Sequence, residues 1–284
     1  MSGVLAWAHD RILMYHGTPM ADAPALERQL RVLSLLFPIV PLEDVVSGHG
    51  KNGRARVALT FDDGLRSNIA VAYPILRKLR LSATFFVCPG LIELGAWLWN
   101  HEARERLRTL PQYALAELAA SFGAPAELEP FIEWMKTLDI GARRRVEATI
   151  RAATPNFKPT REQQEQFDVA DWDQLARLDP RVVTIGSHSM SHPILTSLTA
   201  DETDAELRES RALLEKRLAR PVTLFCYPNG DLHEAALSSA RRYYRSAVTV
   251  EHGAVKAGAD PHRLPRLPAE AHRSRRLARR MVFG

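Results

Sequence analysis

Two adjacent aspartates and two histidines spaced four residues apart are the side chains in this sequence best suited to chemistry. Asp62 and Asp63 follow one apolar run of strand length, and His188 and His192 follow another. Two imidazoles and one carboxylate make a three-ligand site with a coordination position left for water, as hydrolytic metal centres have. The second carboxylate would stay free to act as a base.

Each motif alone also has an explanation without metal. Asp62-Asp63-Gly64 is typical of a turn, in which aspartate accepts backbone hydrogen bonds and glycine supplies a positive φ. A His-x3-His pair such as His188 and His192 often arises by chance on a surface. Because both motifs follow strand-like runs, one shared metal site explains two polar clusters that would otherwise need separate explanations.

Segments spread along the chain resemble the polysaccharide deacetylases, which carry NodB homology and form carbohydrate esterase family 4. The specific matches are Leu59–Gly64 and Ser187–Pro193. Weaker matches are Met14–His16, Ala83–Val87 and Phe225–Gly230. The resemblance implies a deformed (β/α)7 barrel that removes an N-acetyl group from an amino sugar of a glycan or lipid-linked saccharide.

The resemblance also implies roles for the four motif residues. Asp63, His188 and His192 would hold one divalent metal ion, and Asp62 would be the general base. Zinc is the expected ion, although Co²⁺, Ni²⁺ and Fe²⁺ suit the same donors.

An oxyanion donor and four substrate contacts complete the predicted site. Proline has no N–H, so the backbone N–H of Asn229 is the predicted donor to the oxyanion. Predicted substrate contacts are His16, Tyr227, Pro228 and Trp99.

The chain departs from the family pattern in two places. Many members carry an arginine before Pro-Tyr-Gly, but that region here reads Phe225-Cys226-Tyr227, and Arg263–Arg266 replaces a late Leu-x-His. We predict that Arg266 orients Asp62 or the oxyanion. The general acid stays open among three histidines, His16, His252 and His262.

Strand-like and helix-like segments alternate along the chain, which predicts a mainly parallel sheet whose carboxyl-end loops converge on one face. The predicted strands are Arg11–Tyr15, Val57–Phe61, Ala83–Val87, Val182–Ile185, Val222–Cys226, Ser246–Val250 and Leu264–Leu267. The predicted helices are Ala25–Phe37, Ser67–Leu79, Asp201–Leu218 and His233–Tyr244. We expect one domain over residues 1–284, with a helical insertion at 95–167 after the third strand and a basic tail at 268–284. The insertion either shapes substrate access or packs as a side bundle.

The positive charge is concentrated at the carboxyl end. Residues 261–284 contain seven arginines and one acid, Glu270, which gives +6, so the remainder of the +5 chain sums to −1. A nearly neutral body argues against a nucleic-acid-binding surface. The basic tail fits either a solvated terminal helix or a dock for anionic lipid headgroups or lipid-linked phosphates.

The start of the chain has no basic segment followed by an apolar run of signal-peptide length, and no window is apolar enough to span a membrane. Cys88 and Cys226 follow apolar runs and are predicted to be buried free thiols. These features predict a cytoplasmic protein, with a peripheral position at the inner membrane face allowed by the tail. A saccharide precursor is then the expected substrate rather than a finished wall polymer. The oligomeric state is left open.

Two other functions stay open. A formyl-sugar deformylase or a cyclic imide or ureide hydrolase would use the same metal and fold. A catalytically inactive barrel would bind a glycan or an anionic membrane. The missing arginine and late histidine favour this alternative, and the intact Asp62, Asp63, His188 and His192 argue against it.

Overall fold

The computed structural model of the protein describes residues 9–48 and 54–283. Within these ranges seven parallel strands close into a barrel in chain order. The strands are β1 (Arg11–Tyr15), β2 (Val57–Phe61), β3 (Ala83–Val87), β4 (Val183–Ser187), β5 (Leu224–Cys226), β6 (Ser246–His252) and β7 (Leu264–Pro268). The predicted (β/α)7 barrel is confirmed, and its first three strands have the predicted bounds. Residues 1–8, on which part of the expected lack of an export signal rests, lie outside the described ranges.

Helices surround the barrel and form the segment between β3 and β4. They are α1 (Ala23–Leu36), α2 (Leu42–Ser47), α3 (Tyr73–Leu79), α4 (Pro89–Leu94), α5 (Trp99–Leu107), α6 (Gln112–Phe122), α7 (Leu128–Met135), α8 (Ile140–Ala153), α9 (Arg161–Phe167), α10 (Trp172–Ala176), α11 (Ala200–Leu218), α12 (Glu234–Tyr243) and α13 (Ser274–Phe283). In α11 the Thr199 hydroxyl and the Glu202 carboxylate cap the first turn reciprocally. Within the described ranges no helix is both long and apolar enough to cross a bilayer.

Strand alternation separates two hydrophobic clusters. Leu59 and Phe61 of β2 pack with the helices, whereas Ala58 of the same strand packs with Phe86 and Leu264 in the barrel interior. Because side chains alternate along a strand, residues 60 and 62 share the inward face with residue 58. The same alternation turns residues 188, 226 and 266 inward from their own strands. The alternation of inward and outward side chains along each strand therefore decides which polar side chains can meet inside the barrel.

A proline interrupts the predicted helix over Ser67–Leu79. The chain forms a π-helical turn over Asn68–Ala72 before α3, in which the Tyr73 N–H donates to the Asn68 carbonyl. Pro74 has no N–H for an intrahelical bond, so the irregularity falls in the turn before it.

Helices α5 to α8 have a hydrophobic cluster separate from the barrel. Leu107, Phe131, Met135 and Ile150 are each at most 1% exposed within it. The short helix α9 joins this segment to the barrel, where the Trp97 Nε1–H donates to Asp168 at 2.7 Å. The predicted helical character of residues 95–167 is therefore present in the structure.

Candidate active site

Asp62 and Asp63 leave β2 at its carboxyl end and turn toward one centre. The Asp62 side chain points into the barrel, as the alternation along β2 requires, whereas the next residue of a regular strand would point outward. Asp63 avoids this by adopting the left-handed region at φ 72°, and Gly64 follows at φ 66°. A Cβ on Gly64 would lie only 3.0 Å from the Cβ of Val87, so both conformation and space favour glycine here. A non-glycine residue at positive φ is strained, and such strain concentrates at functional sites.

The histidine loop after β4 is also held in an unusual conformation. Ser189 and His192 have positive φ values of 66° and 55°. Glu206 of α11 accepts hydrogen bonds from the backbone N–H groups of Met190 at 2.8 Å and Ser191 at 3.0 Å. Its other oxygen accepts from the Ser191 hydroxyl at 2.6 Å. One carboxylate from a neighbouring helix therefore fixes the loop that carries both histidines.

Asp63, His188 and His192 lie together as buried donors whose ligand atoms are within 4.8 Å of one another. The His188 and His192 Nε2 atoms are 3.6 Å and 3.5 Å from Asp63 Oδ1. Two ligands each about 2.0–2.1 Å from a tetrahedral ion lie about 3.4 Å apart. The spacing and the donor set therefore fit a divalent ion of zinc type.

Hydrogen bonding orients the His188 ring. Its Nδ1 is 2.8 Å from the Cys226 carbonyl oxygen, which can only accept, so Nδ1 carries a proton and donates it. This leaves the Nε2 on the Asp63 side, in the arrangement that metal-bound histidines usually have. Among the described residues, His192 Nδ1 has no hydrogen-bond partner.

The three side chains strongly influence one another's ionisation. Burial opposes the charge on Asp63, but His188, His16 and His192 outweigh burial and hold the pKa of this carboxyl below its usual range. Burial, together with the positive charge of His188, lowers the pKa of His192 to about 3. Although burial acts against it, the neighbouring Cys226 and Asp63 raise the pKa of His188 well above its usual value. The cluster thus contains a carboxylate and one imidazole that resists protonation, both of which suit a cation.

Asp62 forms a buried ion pair with Arg266 of β7. Arg266 donates from Nη1 to Asp62 Oδ1 and from Nη2 to Oδ2, both at 2.7 Å. The side chains are 0% and 2% exposed. Burial opposes ionisation of Asp62, but the charge and hydrogen bonds of Arg266 outweigh it and keep the pKa of this carboxyl below its usual value. Asp62 is therefore a carboxylate at neutral pH.

The remaining donors of Arg266 also have partners, which fixes its guanidinium. Nε donates to the Thr249 carbonyl at 2.8 Å, Nη1 to the Thr60 hydroxyl at 2.9 Å, and Nη2 to the Cys226 sulfur at 3.0 Å. Arg266 thus reaches Asp62 from β7 and also contacts the small Cys226 side chain. Of the two predicted partners for Arg266, Asp62 is the one it contacts.

Asn229 follows β5 at the barrel end that carries the aspartates. It is exposed and adopts φ 54°, directly after the buried Pro228. A Cβ on the next residue, Gly230, would lie 2.1 Å from Val250 Cγ2, so this turn also requires glycine.

Two of the predicted substrate contacts, Tyr227 and Trp99, have buried side chains. Tyr227 is 0% exposed, and its hydroxyl donates to the His262 carbonyl at 3.1 Å. Trp99 is 7% exposed within the insertion, where the Arg143 guanidinium lies 4.7 Å from its ring centroid. Strand alternation places Tyr227 on the outer face of the barrel, and the insertion covers Trp99, so neither ring is open to a sugar.

The three histidines considered as general acid lie in different parts of the structure. His16 follows β1 as an exposed residue and interacts electrostatically with Asp62 and Asp63. His252 lies in a surface depression with His9, near the beginning of β1. His262 precedes β7, and its Nε2 is 3.0 Å from the Tyr244 carbonyl. Of the three, His16 is the histidine beside the aspartates.

Three residues make contacts near the site that the sequence patterns do not indicate. Glu206 lies on a predicted helix, but its contact with the histidine loop depends on tertiary packing. Cys226 is buried and free, as predicted, and its contact with Asp62 at 3.6 Å is the unpredicted feature. His101 of α5 packs against Phe167 with ring centroids 4.7 Å apart and ring planes tilted by 43°, and it interacts electrostatically with Asp63. No spacing pattern connects these residues to the motifs.

The family model for polysaccharide deacetylases matches residues 49–110 and 133–247, which together are more than half of the chain. The chain therefore belongs to the polysaccharide deacetylase family. YxkH of Bacillus subtilis strain 168, provisionally named a polysaccharide deacetylase, is 27% identical over 199 residues. That match covers 70% of this chain but only 46% of YxkH, so this chain spans less than half of its relative.

Solved structures show the same fold at low sequence identity. The Streptococcus pyogenes deacetylase PplD, solved in complex with acetate, has a TM-score of 0.64 at 20% identity, covering 97% of this chain and 99% of PplD. IcaB from Ammonifex degensii has a TM-score of 0.64 at 16% identity, covering 96% of this chain and 97% of IcaB. These similarities extend over nearly the whole of each chain and support the barrel architecture.

Proposed function

We propose that this protein is a metal-dependent hydrolase that removes the N-acetyl group from an amino sugar of a glycan or lipid-linked saccharide. One observation carries the proposal: a buried Asp63–His188–His192 cluster lies beside Asp62, whose carboxylate is held by two hydrogen bonds from Arg266. Family membership supports deacetylation as the reaction, and the donor set supports the metal. PplD, which shares the fold, was solved in complex with acetate, the acid that the proposed reaction would release.

Asp63, His188 and His192 would hold the ion. When bound, a zinc-type ion lowers the pKa of water toward neutrality and polarises the amide carbonyl. Asp62 accepts the proton of the attacking water, and its ionised state at neutral pH suits this step. Arg266 is a positioning residue that directs the carboxylate without touching the substrate.

Two further groups would complete the proton and charge transfers. The backbone N–H of Asn229 is the proposed donor to the developing oxyanion. His16 is the proposed general acid, because it is exposed at the end of β1 and lies near both aspartates. It would give its proton to the sugar nitrogen as the carbon–nitrogen bond breaks, so the amine leaves in neutral form.

Arg266 also bears on the inactive alternative. The missing family arginine favours a barrel without catalysis, yet the aspartate retains a bidentate arginine partner from another strand. A buried carboxylate kept ionised beside a cluster of metal-binding type favours catalysis over a purely structural role.

Release of acetate from N-acetylated glucosamine oligomers, measured with and without added zinc, tests the proposal. Asp62→Asn is the informative variant, because it removes the base but leaves the three proposed ligands. We expect it to retain metal and lose at least about 10²-fold in rate, the usual contribution of a positioned base. Formate release from N-formylated sugars in place of acetate would move the assignment to a deformylase. Metal binding with neither product, on sugar or cyclic amide substrates, would favour the binding barrel.

A further inference from the structure

An apolar groove of about 360 Å³ runs along the barrel wall between α1 and α13. Its apolar lining comes from both helices and includes Ala25, Val32, Leu36, Leu277, Ala278 and Met281. Leu277 and Met281 are buried and attach α13 to the barrel. On the α1 side large apolar side chains protrude instead, with Val32 54% exposed, Leu36 53% and the adjacent Leu35 78%. Single exposed aliphatic side chains are common, but Val32, Leu35 and Leu36 together beside a groove mark an interaction surface.

Positive charge surrounds this apolar strip. Helix α13 contains four arginines and no acid, and Arg276 and Arg279 are exposed on it. Arg28 of α1 is exposed and lines the groove, and the nearby Arg31 is exposed but pairs with Glu27 at 2.6 Å. Glu270 partly neutralises one end, lying 3.9 Å from Arg276. Among the described residues, neither Arg28 nor Arg279 has a carboxylate within salt-bridge distance. The four arginines of α13 therefore add a charge of +4 beside the exposed aliphatic side chains, whereas residues 1–260 sum to −1.

We propose that the α1–α13 face docks onto an anionic phospholipid bilayer. Exposed leucine and valine next to arginines is the combination by which surface helices bind membranes: apolar side chains enter the headgroup boundary and cations pair with lipid phosphates. An acidic soluble protein would pair with the arginines but would not by itself account for the protruding aliphatic side chains.

The position of the two helices gives the docking a consequence. Helices α1 and α13 follow β1 and β7, so each begins near the barrel end that carries Asp62 and Asp63. A bilayer against this flank would lie beside the rim of the site. The docking itself needs neither metal nor catalysis, so it stands independently of the proposed hydrolysis.

Vesicle flotation tests the docking. The full chain is mixed with vesicles of phosphatidylcholine alone, or of equal parts phosphatidylcholine and phosphatidylglycerol. We expect flotation only with the anionic vesicles, and less of it at high salt. Leu35→Gln should weaken the partition about tenfold, as expected for losing one inserted leucine. Arg276→Gln and Arg279→Gln should each weaken it about fivefold.

Matched controls separate docking from nonspecific adhesion. Leu94→Gln changes an equally exposed leucine on α4, and Arg144→Gln with Arg145→Gln removes two exposed charges from α8. Both controls should float like the wild type, and all variants should keep the wild-type circular dichroism spectrum. Absence of flotation by the wild type, or equal losses in the controls, would overturn the proposal. Light scattering that shows a dimer disrupted by Leu35→Gln, without vesicle binding, would assign the face to a second copy.

Discussion

Replacing Arg266 by methionine leaves Asp62 buried without its counter-charge. The two side chains are 0% and 2% exposed, so little solvent screens the loss. Removing one partner of a buried ion pair typically costs about 3–5 kcal/mol of unfolding free energy. Because burial opposes the charge on Asp62 and Arg266 outweighs it, the variant should raise the pKa of this carboxyl above its usual value.

The raised pKa should appear in the pH dependence of catalysis. Burial alone can raise a carboxyl pKa by up to about 3–5 pH units, and a bound cation would oppose part of that rise. We therefore expect the acid limb of kcat/KM to move upward by about 2 pH units. At a pH on the acid limb, kcat/KM of the variant should be lower than that of the wild type by about tenfold for each pH unit of the shift, hence by about 100-fold in total.

Stability should follow the same titration. In the wild type the depressed pKa of Asp62 stabilises the fold above the unfolded pKa of about 3.9, and this is lost as pH falls through the folded value. In Arg266→Met the pKa of Asp62 is raised. The loss of unfolding free energy relative to the wild type is therefore largest at alkaline pH and becomes smaller as pH falls toward about 3.9. Urea unfolding at about pH 8 and about pH 5 measures this difference.

The double variant Arg266→Met with Asp62→Asn is the control, because it removes both buried charges. It should recover much of the lost stability and remain inactive. If the single variant keeps the wild-type acid limb and the wild-type unfolding free energy, the assignment of Asp62 as a base held by Arg266 is refuted.

Three further substitutions probe other parts of the site. Glu206→Ala frees the histidine loop and should weaken metal binding by about tenfold in a chelator competition, whereas Asp201→Ala on the same helix should not. Gly230→Ala places a Cβ 2.1 Å from Val250 Cγ2, so kcat should fall more than KM rises. The control variant Gly95→Ala has open space around its Cβ and should keep wild-type kinetics. Tyr227→Phe loses one hydrogen bond and should lower the unfolding free energy by about 1 kcal/mol with KM unchanged.

Each of these expectations has a contrary result. Equal metal affinity in Glu206→Ala and the wild type would show that the loop holds its shape without the carboxylate. Equal losses in Gly230→Ala and Gly95→Ala would point to a general effect of positive φ. A raised KM in Tyr227→Phe would return this side chain to the substrate contacts.

Local patterns predict the strands well because short apolar runs bounded by polar motifs define them. They also predict that Asp62 and Asp63 end one strand and His188 another, which brings the pairs together once the sheet is parallel and closed. Strand phase then explains why Asp62 and Arg266 meet, although they are distant in sequence. The sequence predicts that Arg266 orients either Asp62 or the oxyanion. It does not distinguish the two, because the position of Arg266 depends on how β7 closes the barrel beside β1.

Contacts made by tertiary packing could not be predicted. Glu206 reads as one acid among many on a polar helix, and nothing in its spacing indicates the histidine loop. Trp99 is predicted as a substrate contact, but its ring is buried and lies against Arg143 of α8. Tyr227 lies next to a functional turn, yet strand alternation directs its ring outward. In each case the side chain's partner comes from a segment with no sequence relation to it.

Elemental analysis of the purified protein, with acetate release assayed on the same samples, tests the proposed metal-dependent hydrolysis most directly. Wild type and His188→Ala with His192→Ala are compared after zinc loading and removal of excess ion. We predict about one divalent ion per chain in the wild type, since three ligands define one site, and loss of both metal and acetate release in the variant. A wild type that binds no metal, or a variant that keeps full acetate release, would contradict this mechanism.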